Sequence, residues 1–202
     1  MRGVDLHWIR LTDSNPATLS PDELERASHF RSARDRERFI GTRSALRNIL
    51  AGYLRCEPSA IEFSHNEHGK PRVRALHFSF SRSHELAVCA VSLTSEVGVD
   101  LERIDPAFAT FSVAETFFAR GEIAALGALP QHYRLEAFFR CWTRKEAYVK
   151  ASGQGLSMSL QSFEVNLVEP AAFLGGVEGW SIESLDAPPG YAGALVASNP
   201  KL

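Results

Sequence analysis

The chain has 202 residues, 45% of them hydrophobic and 23% charged, which is enough apolar material for one substantial core or two modest ones. Its formal net charge is -2 and its pI about 6.4, so there is no overall excess of positive charge for nucleic acid, and any polyanion site must be local. Three cysteines without a CxxC pair read as free thiols of a reducing compartment. With an acid at Asp5 where a leader would be apolar, and no run near the roughly 18 apolar residues of a membrane helix, the expectation is a cytoplasmic protein that does not enter a membrane.

Ser20-Pro21-Asp22-Glu23 sets a capping serine, a proline at the first helical position and a glutamate three residues after the cap, so a helix is predicted there. A second helix is predicted from about Asp35 to Leu54, where Phe39, Leu46, Leu50 and Tyr53 recur at helical spacing until Cys56-Glu57-Pro58. Short apolar runs broken by turns then predict strands at Ile61-Glu62-Phe63, Leu76-His77-Phe78 and Leu86 to Val91. Between Glu96 and Glu102, apolar and polar residues alternate as in a strand with one wet face. Helices near 111–118, 121–126 and 135–151 follow, then strands near 163–168, 180–185 and 192–197. Without a regular βαβ rhythm, the class is α+β.

Within Gly98-Val99-Asp100-Leu101-Glu102, two carboxylates two residues apart share one face of a strand. They can hold a hard cation such as magnesium, or simply be acids on a solvated strand edge. From Trp142 to Lys150, Lys145 takes a place in the apolar stripe where a core residue belongs, while Glu146 and Lys150 are neighbours four apart, as in an ordinary helix salt bridge. Residues 26–55 are rich in arginine, among them Arg31, Arg38 and Arg43. Arg43 lies on the apolar face of its helix, where it suits either a buried phosphate or an acid partner. His65 and His68 flank a turn with no third metal ligand nearby and are not read as a zinc site.

Taken together and in order, these motifs resemble the Sfp-type 4'-phosphopantetheinyl transferases over about residues 22–168. The resemblance rests on His68-Gly69-Lys70-Pro71, Phe78-Ser79-Phe80-Ser81-Arg82-Ser83, Gly98-Val99-Asp100-Leu101-Glu102, Phe117-Phe118 with Glu122, and Trp142 through Lys150 with the trailing Gly153-Gln154-Gly155-Leu156. It implies two similar α+β subdomains, residues 1–97 and 98–202, in a pseudo-twofold arrangement with coenzyme A in the cleft between them. Asp100, Glu102 and Glu146 would hold Mg2+ with the coenzyme A pyrophosphate. Lys150 would face the phosphates, Lys70 and Pro71 the adenine end, and Arg43 the 3'-phosphate, with Arg31 and Arg38 nearby. Ser81 and Arg82 match positions near the diphosphate, and Glu122 a glutamate near the reacting centre.

The family usually shows F-N-x-S-H-S, and here Ser79 and Arg82 replace its asparagine and histidine. The implied activity is transfer of 4'-phosphopantetheine from coenzyme A to a serine of an apo acyl or peptidyl carrier protein, by a monomer, with Glu146, a metal-bound water that it orients, or Glu122 as base. Two rivals are a catalytically silent relative that only binds carrier protein or coenzyme A, and a metal-dependent phosphodiesterase. The phosphodiesterase would need a basic and aromatic groove, for which the chain has no stripe.

Overall fold

Ser20 and Ser32 each start a helix. In the computed structural model, which describes residues 1, 3–11 and 14–199, α1 (Pro21–Ser28) opens as predicted, with Glu23 accepting from the Ser20 N–H at 3.3 Å. In α2 (Ala33–Leu54), the Ser32 hydroxyl accepts from the Asp35 N–H at 3.3 Å, and the helix ends at Leu54 as predicted, capped by Arg55 in the left-handed region at φ 54°. Ahead of both lies a strand that the sequence reading lacked, β1 (Val4–Arg10). Its inward side carries His7 and Ile9, with His7 Nε2 2.7 Å from the Tyr53 hydroxyl of α2, while Leu6 and Trp8 stay exposed.

The predicted strand Ile61-Glu62-Phe63 does not form. Its Ile61 carbonyl accepts from buried Arg47 at 3.1 Å instead of from a neighbouring strand, and pairing starts only at β2 (Ser64–His65) with β3 (Pro71–Arg72). Next come β4 (His77–Ser83), β5 (Leu86–Ser92) and β6 (Val97–Arg103), then α3 (Phe111–Phe117), α4 (Arg120–Ala128) and α5 (Gln131–Ser152) near the predicted positions. Strands β7 (Glu164–Val165), β8 (Phe173–Gly175), β9 (Trp180–Ser184) and β10 (Tyr191–Ser198) complete the described chain, β8 being unpredicted.

The α+β class is as read. Two antiparallel three-stranded sheets have orders β1-β5-β4 and β6-β10-β9, so in each the strand last in sequence is central. A 22-residue helix, α2 in one half and α5 in the other, follows the first strand or precedes the last two in the same way. One apolar cluster lies under α2, one under α5, and a third joins the sheets through Val88 and Ala90 on one side and Val97, Val99 and Leu101 on the other.

That third cluster overturns the one-wet-face reading of β6. Residues 97–101 are all buried, because the first sheet covers the valine side and α5 covers the carboxylate side. Each of Val97, Val99 and Leu101 is fully enclosed, and such burial stabilises the junction by about 1.5–3 kcal/mol per side chain.

Candidate active site

Gly98 decides how closely α5 can lie on β6. A Cβ there would come within 2.0 Å of the Ala147 carbonyl oxygen and 2.3 Å of the Ala151 amide nitrogen, so only glycine allows this approach. With the two backbones in contact, Asp100 and Glu102 on the strand share one opening of about 450 Å³ with Glu146 and Lys150 on the helix. Ser81, Arg82 and Trp142 also line it, with the Arg82 side chain exposed.

Lys150 Nζ donates to Asp100 Oδ1 at 2.6 Å and to Ser81 Oγ at 2.9 Å. Asp100 is 2% exposed, yet its Oδ2 is buried without a hydrogen-bond partner. Burial pushes the Glu102 carboxyl up, and the Asp100 charge adds to this against the hydrogen bond from Ser83; burial and then Asp100 push Glu146 up in the same way. A buried carboxylate with an orphaned oxygen, beside two half-buried carboxylates of like charge, describes a place short of positive charge. Hard oxygen donors of this kind suit magnesium. Among the described residues, however, no group of three His, Cys, Asp or Glu side chains stands as a ready metal cluster.

A larger cavity of about 690 Å³ adjoins this opening and shares Thr42, Phe80, Glu146 and Lys150 with it. Arg43, Lys70 and Pro71 line it, together with Leu46, Phe78 and Phe117. Arg43 turns inward as expected, but it has an acid partner: it pairs with Glu23, which also holds buried Arg47 at 2.6 Å, and its guanidinium lies 4.7 Å from the centre of the Phe63 ring. The Lys70 ammonium is engaged as well, donating to Glu96 Oε2 at 2.9 Å, the Ala151 carbonyl at 2.9 Å and the Val97 carbonyl at 3.2 Å. Its charge therefore ties the β2–β3 turn to β6 and to the end of α5.

Three predicted residues fall outside the two openings. Arg31 is exposed and Arg38 half-buried, and neither lines a wall. Glu122 is 1% exposed, with Oε2 accepting from the Ala119 N–H at 2.8 Å and Oε1 accepting from the Val165 N–H at 2.8 Å and pairing with Lys145 at 2.9 Å. Both oxygens hold the start of α4 against β7, which removes Glu122 as a base. Lys145 is the core residue that its stripe position demanded, and its other contacts are the Leu160 and Phe163 carbonyls, each at 2.7 Å.

Ser81 lines the smaller opening, and its hydroxyl donates to Asp100 Oδ1 at 2.9 Å and accepts from the Leu101 N–H and from Lys150, so it supports the charged groups of that opening. The reading of the sequence also missed Ser83, which donates to Glu102 Oε2 at 2.9 Å. The available signal was the period-two spacing of Ser79, Ser81 and Ser83, which matches that of Asp100 and Glu102.

A family model described as the 4'-phosphopantetheinyl transferase superfamily matches residues 96–196, the stretch that carries both carboxylate motifs. The chain is 41% identical over 177 residues to the 4'-phosphopantetheinyl transferase HetI of Nostoc sp., covering 84% of this chain and 74% of that protein. It is 31% identical over 195 residues to a 4'-phosphopantetheinyl transferase of Bacillus subtilis, covering 93% and 86%. To the 4'-phosphopantetheinyl transferase Sfp of Bacillus subtilis strain 168 it is 28% identical over 191 residues, covering 90% and 83%. With this likeness over most of its length, and with Asp100, Glu102, Glu146 and Lys150 gathered at one opening, the chain belongs to the 4'-phosphopantetheinyl transferase superfamily.

Proposed function

We propose that this protein transfers the 4'-phosphopantetheine arm of coenzyme A to a serine of an apo acyl or peptidyl carrier protein, with Mg2+ and with release of 3',5'-ADP. The observation that carries this reading is the junction of the two openings at Glu146 and Lys150: a cavity lined by Leu46, Phe78 and Phe117 together with Arg43 and Lys70 adjoins an opening that holds Asp100 and Glu102. Coenzyme A has a matching polarity, an extended arm and an adenosine joined by a diphosphate.

In this reading, Asp100, Glu102 and Glu146 would hold the cation. When bound, it neutralises the diphosphate and the charge growing on the leaving oxygen. Lys150, released from Asp100, and Arg82 steady the equatorial oxygens of the phosphorus attached to pantetheine. The serine hydroxyl forms its bond to that phosphorus as the bond to the bridging oxygen breaks, and the electron pair leaves with 3',5'-ADP. Glu146, which borders both openings, takes the serine proton, directly or through a water that it orients. Arg43 faces the 3'-phosphate by exchanging Glu23, which Arg47 continues to neutralise.

The chain is read as two halves, residues 1–97 and 98–202, forming one transferase unit that acts as a monomer in the cytoplasm. The matching strand orders support the division. No described helix is long and apolar enough to cross a membrane. The test is chromatographic detection of 3',5'-ADP from coenzyme A and Mg2+. Release only when an apo carrier is present supports transfer, and release without one favours a phosphodiesterase.

A further inference from the structure

The edge of β6 that faces the first half is closed by hydroxyls instead of by a strand. In an antiparallel pair alternate N–H groups point away from the partner, and for β6, paired with β10, these belong to Val99, Leu101 and Arg103. Ser79 Oγ accepts the first at 3.0 Å, Ser81 Oγ the second at 3.2 Å and Ser83 Oγ the third at 2.9 Å. All three serines are buried. Serines spaced by two on one strand meet amides spaced by two on the other, so a slip of one residue would lose every contact and bury three N–H groups unpaired.

Two of the three hydroxyls also grip a carboxylate. Ser81 donates to Asp100 Oδ1 and Ser83 to Glu102 Oε2, both at 2.9 Å, whereas Ser79 makes the backbone contact alone among the described residues. We propose that Ser83 is a positioning residue for cation binding: from the fixed register of β4 against β6, it holds one oxygen of Glu102 and so presents the other to the metal. The inference rests on the reading of Asp100, Glu102 and Glu146 as the cation site. A glutamate has three side-chain torsions, and an anchor at one oxygen removes most of the freedom that cation binding would otherwise have to freeze. Ser81 does the same for Asp100, but it also bonds Lys150, so its removal disturbs a charge as well. Ser83 has Glu102 as its side-chain partner, which makes it the cleaner probe.

Ser79 is the internal control, since it closes the same strand edge without touching a carboxylate. The experiment titrates Mg2+ into the full-length protein saturated with coenzyme A, by calorimetry, for wild type, Ser83→Ala, Ser83→Cys, Ser83→Thr and Ser79→Ala. Melting temperatures in chelator report the loss of the edge contact separately. Expected are Mg2+ affinity weaker by about 10-fold in Ser83→Ala, partly kept in Ser83→Cys, restored in Ser83→Thr and unchanged in Ser79→Ala, although Ser79→Ala and Ser83→Ala melt lower by similar amounts. The Mg2+ concentration for half-maximal transfer should rise with the same order while coenzyme A affinity in chelator stays constant. Wild-type Mg2+ affinity in Ser83→Ala, or an equal loss in Ser79→Ala, would overturn the role of Ser83 and leave the cation site standing. A wild-type complex that takes up no Mg2+ would overturn the cation site itself and this role with it.

Discussion

The ammonium of Lys150 lies 2.6 Å from Oδ1 of Asp100, and this contact joins α5 to β6 at the floor of the cleft while Oδ2 of the same aspartate has no partner. One lysine thus answers half of a buried carboxylate, with Glu102 and Glu146 adding their charge beside it. Replacing Asp100 by Asn removes a proposed metal oxygen without removing volume, and Lys150, at 31% exposure, can turn to water. Asp100→Asn, Glu102→Gln and Glu146→Gln are each expected to lower kcat/KM by about 100-fold or more at limiting Mg2+, with the far-UV circular dichroism of the wild type. Full activity in any of the three would take that residue out of the site.

Gly98→Ala tests the approach of helix and strand. Because the added methyl would meet backbone atoms of Ala147 and Ala151, which no side-chain rotation can move away, α5 must shift. A loss of about 3 kcal/mol in denaturant unfolding, with a large fall in transfer, is expected. Wild-type stability and activity together would show that the contact is not required.

The Glu23 site has a pH signature. Burial opposes its charge, but the hydrogen bond from Arg47 and the charge and hydrogen bond of Arg43 outweigh burial, and its pKa falls below the ordinary 4.5. A carboxyl lowered in the folded state contributes stability that is fully present above the unfolded value and lost as pH falls through the folded one. Glu23→Gln should therefore be less stable by about 3 kcal/mol at neutral pH, and the gap should narrow as pH drops below 4.5. Parallel stability curves down to the acid limit would contradict this.

Arg43→Ala separates substrate binding from structure. Glu23 keeps Arg47 as a partner, so the fold should hold, and KM for coenzyme A should rise about 10-fold more than KM for 3'-dephospho-coenzyme A, the effect of one charge-assisted hydrogen bond. Equal changes for both substrates would make Arg43 a partner of Glu23 and nothing more.

What could be read from the sequence was local. Ser20 and Pro21 announce α1 because the cap is built from adjacent residues, whereas the spacing of the two carboxylate motifs left a solvated strand edge and an ordinary helix salt bridge open, and only their resemblance to a family, taken together and in order, pointed to a cation site. Residues whose meaning depends on a distant partner were not legible. Lys145 was visible as an anomaly on its helix, but Glu122, which explains it, lies on another helix and looked like a site residue. Arg43 could equally have served a phosphate or an acid until Glu23 appeared beside it. Strand β1 was hidden because its inward side carries His7, which is satisfied by Tyr53 far along the chain, while Trp8 faces out. Ser81 and Ser83 read as part of a binding motif, and only the register of β4 alongside β6 makes them supports for Asp100 and Glu102.

The central claim is that the carboxylate floor and the adjoining cavity serve transfer of the phosphopantetheine arm. Intact-mass spectrometry of a panel of apo carrier proteins, incubated with this protein, coenzyme A and Mg2+, tests it most directly. The account predicts that at least one carrier gains the mass of a single phosphopantetheine arm, located on one serine by fragmentation, and that chelator or Asp100→Asn abolishes the gain. Coenzyme A binding with no gain on any carrier, or a gain that persists with Asp100→Asn in chelator, would contradict it.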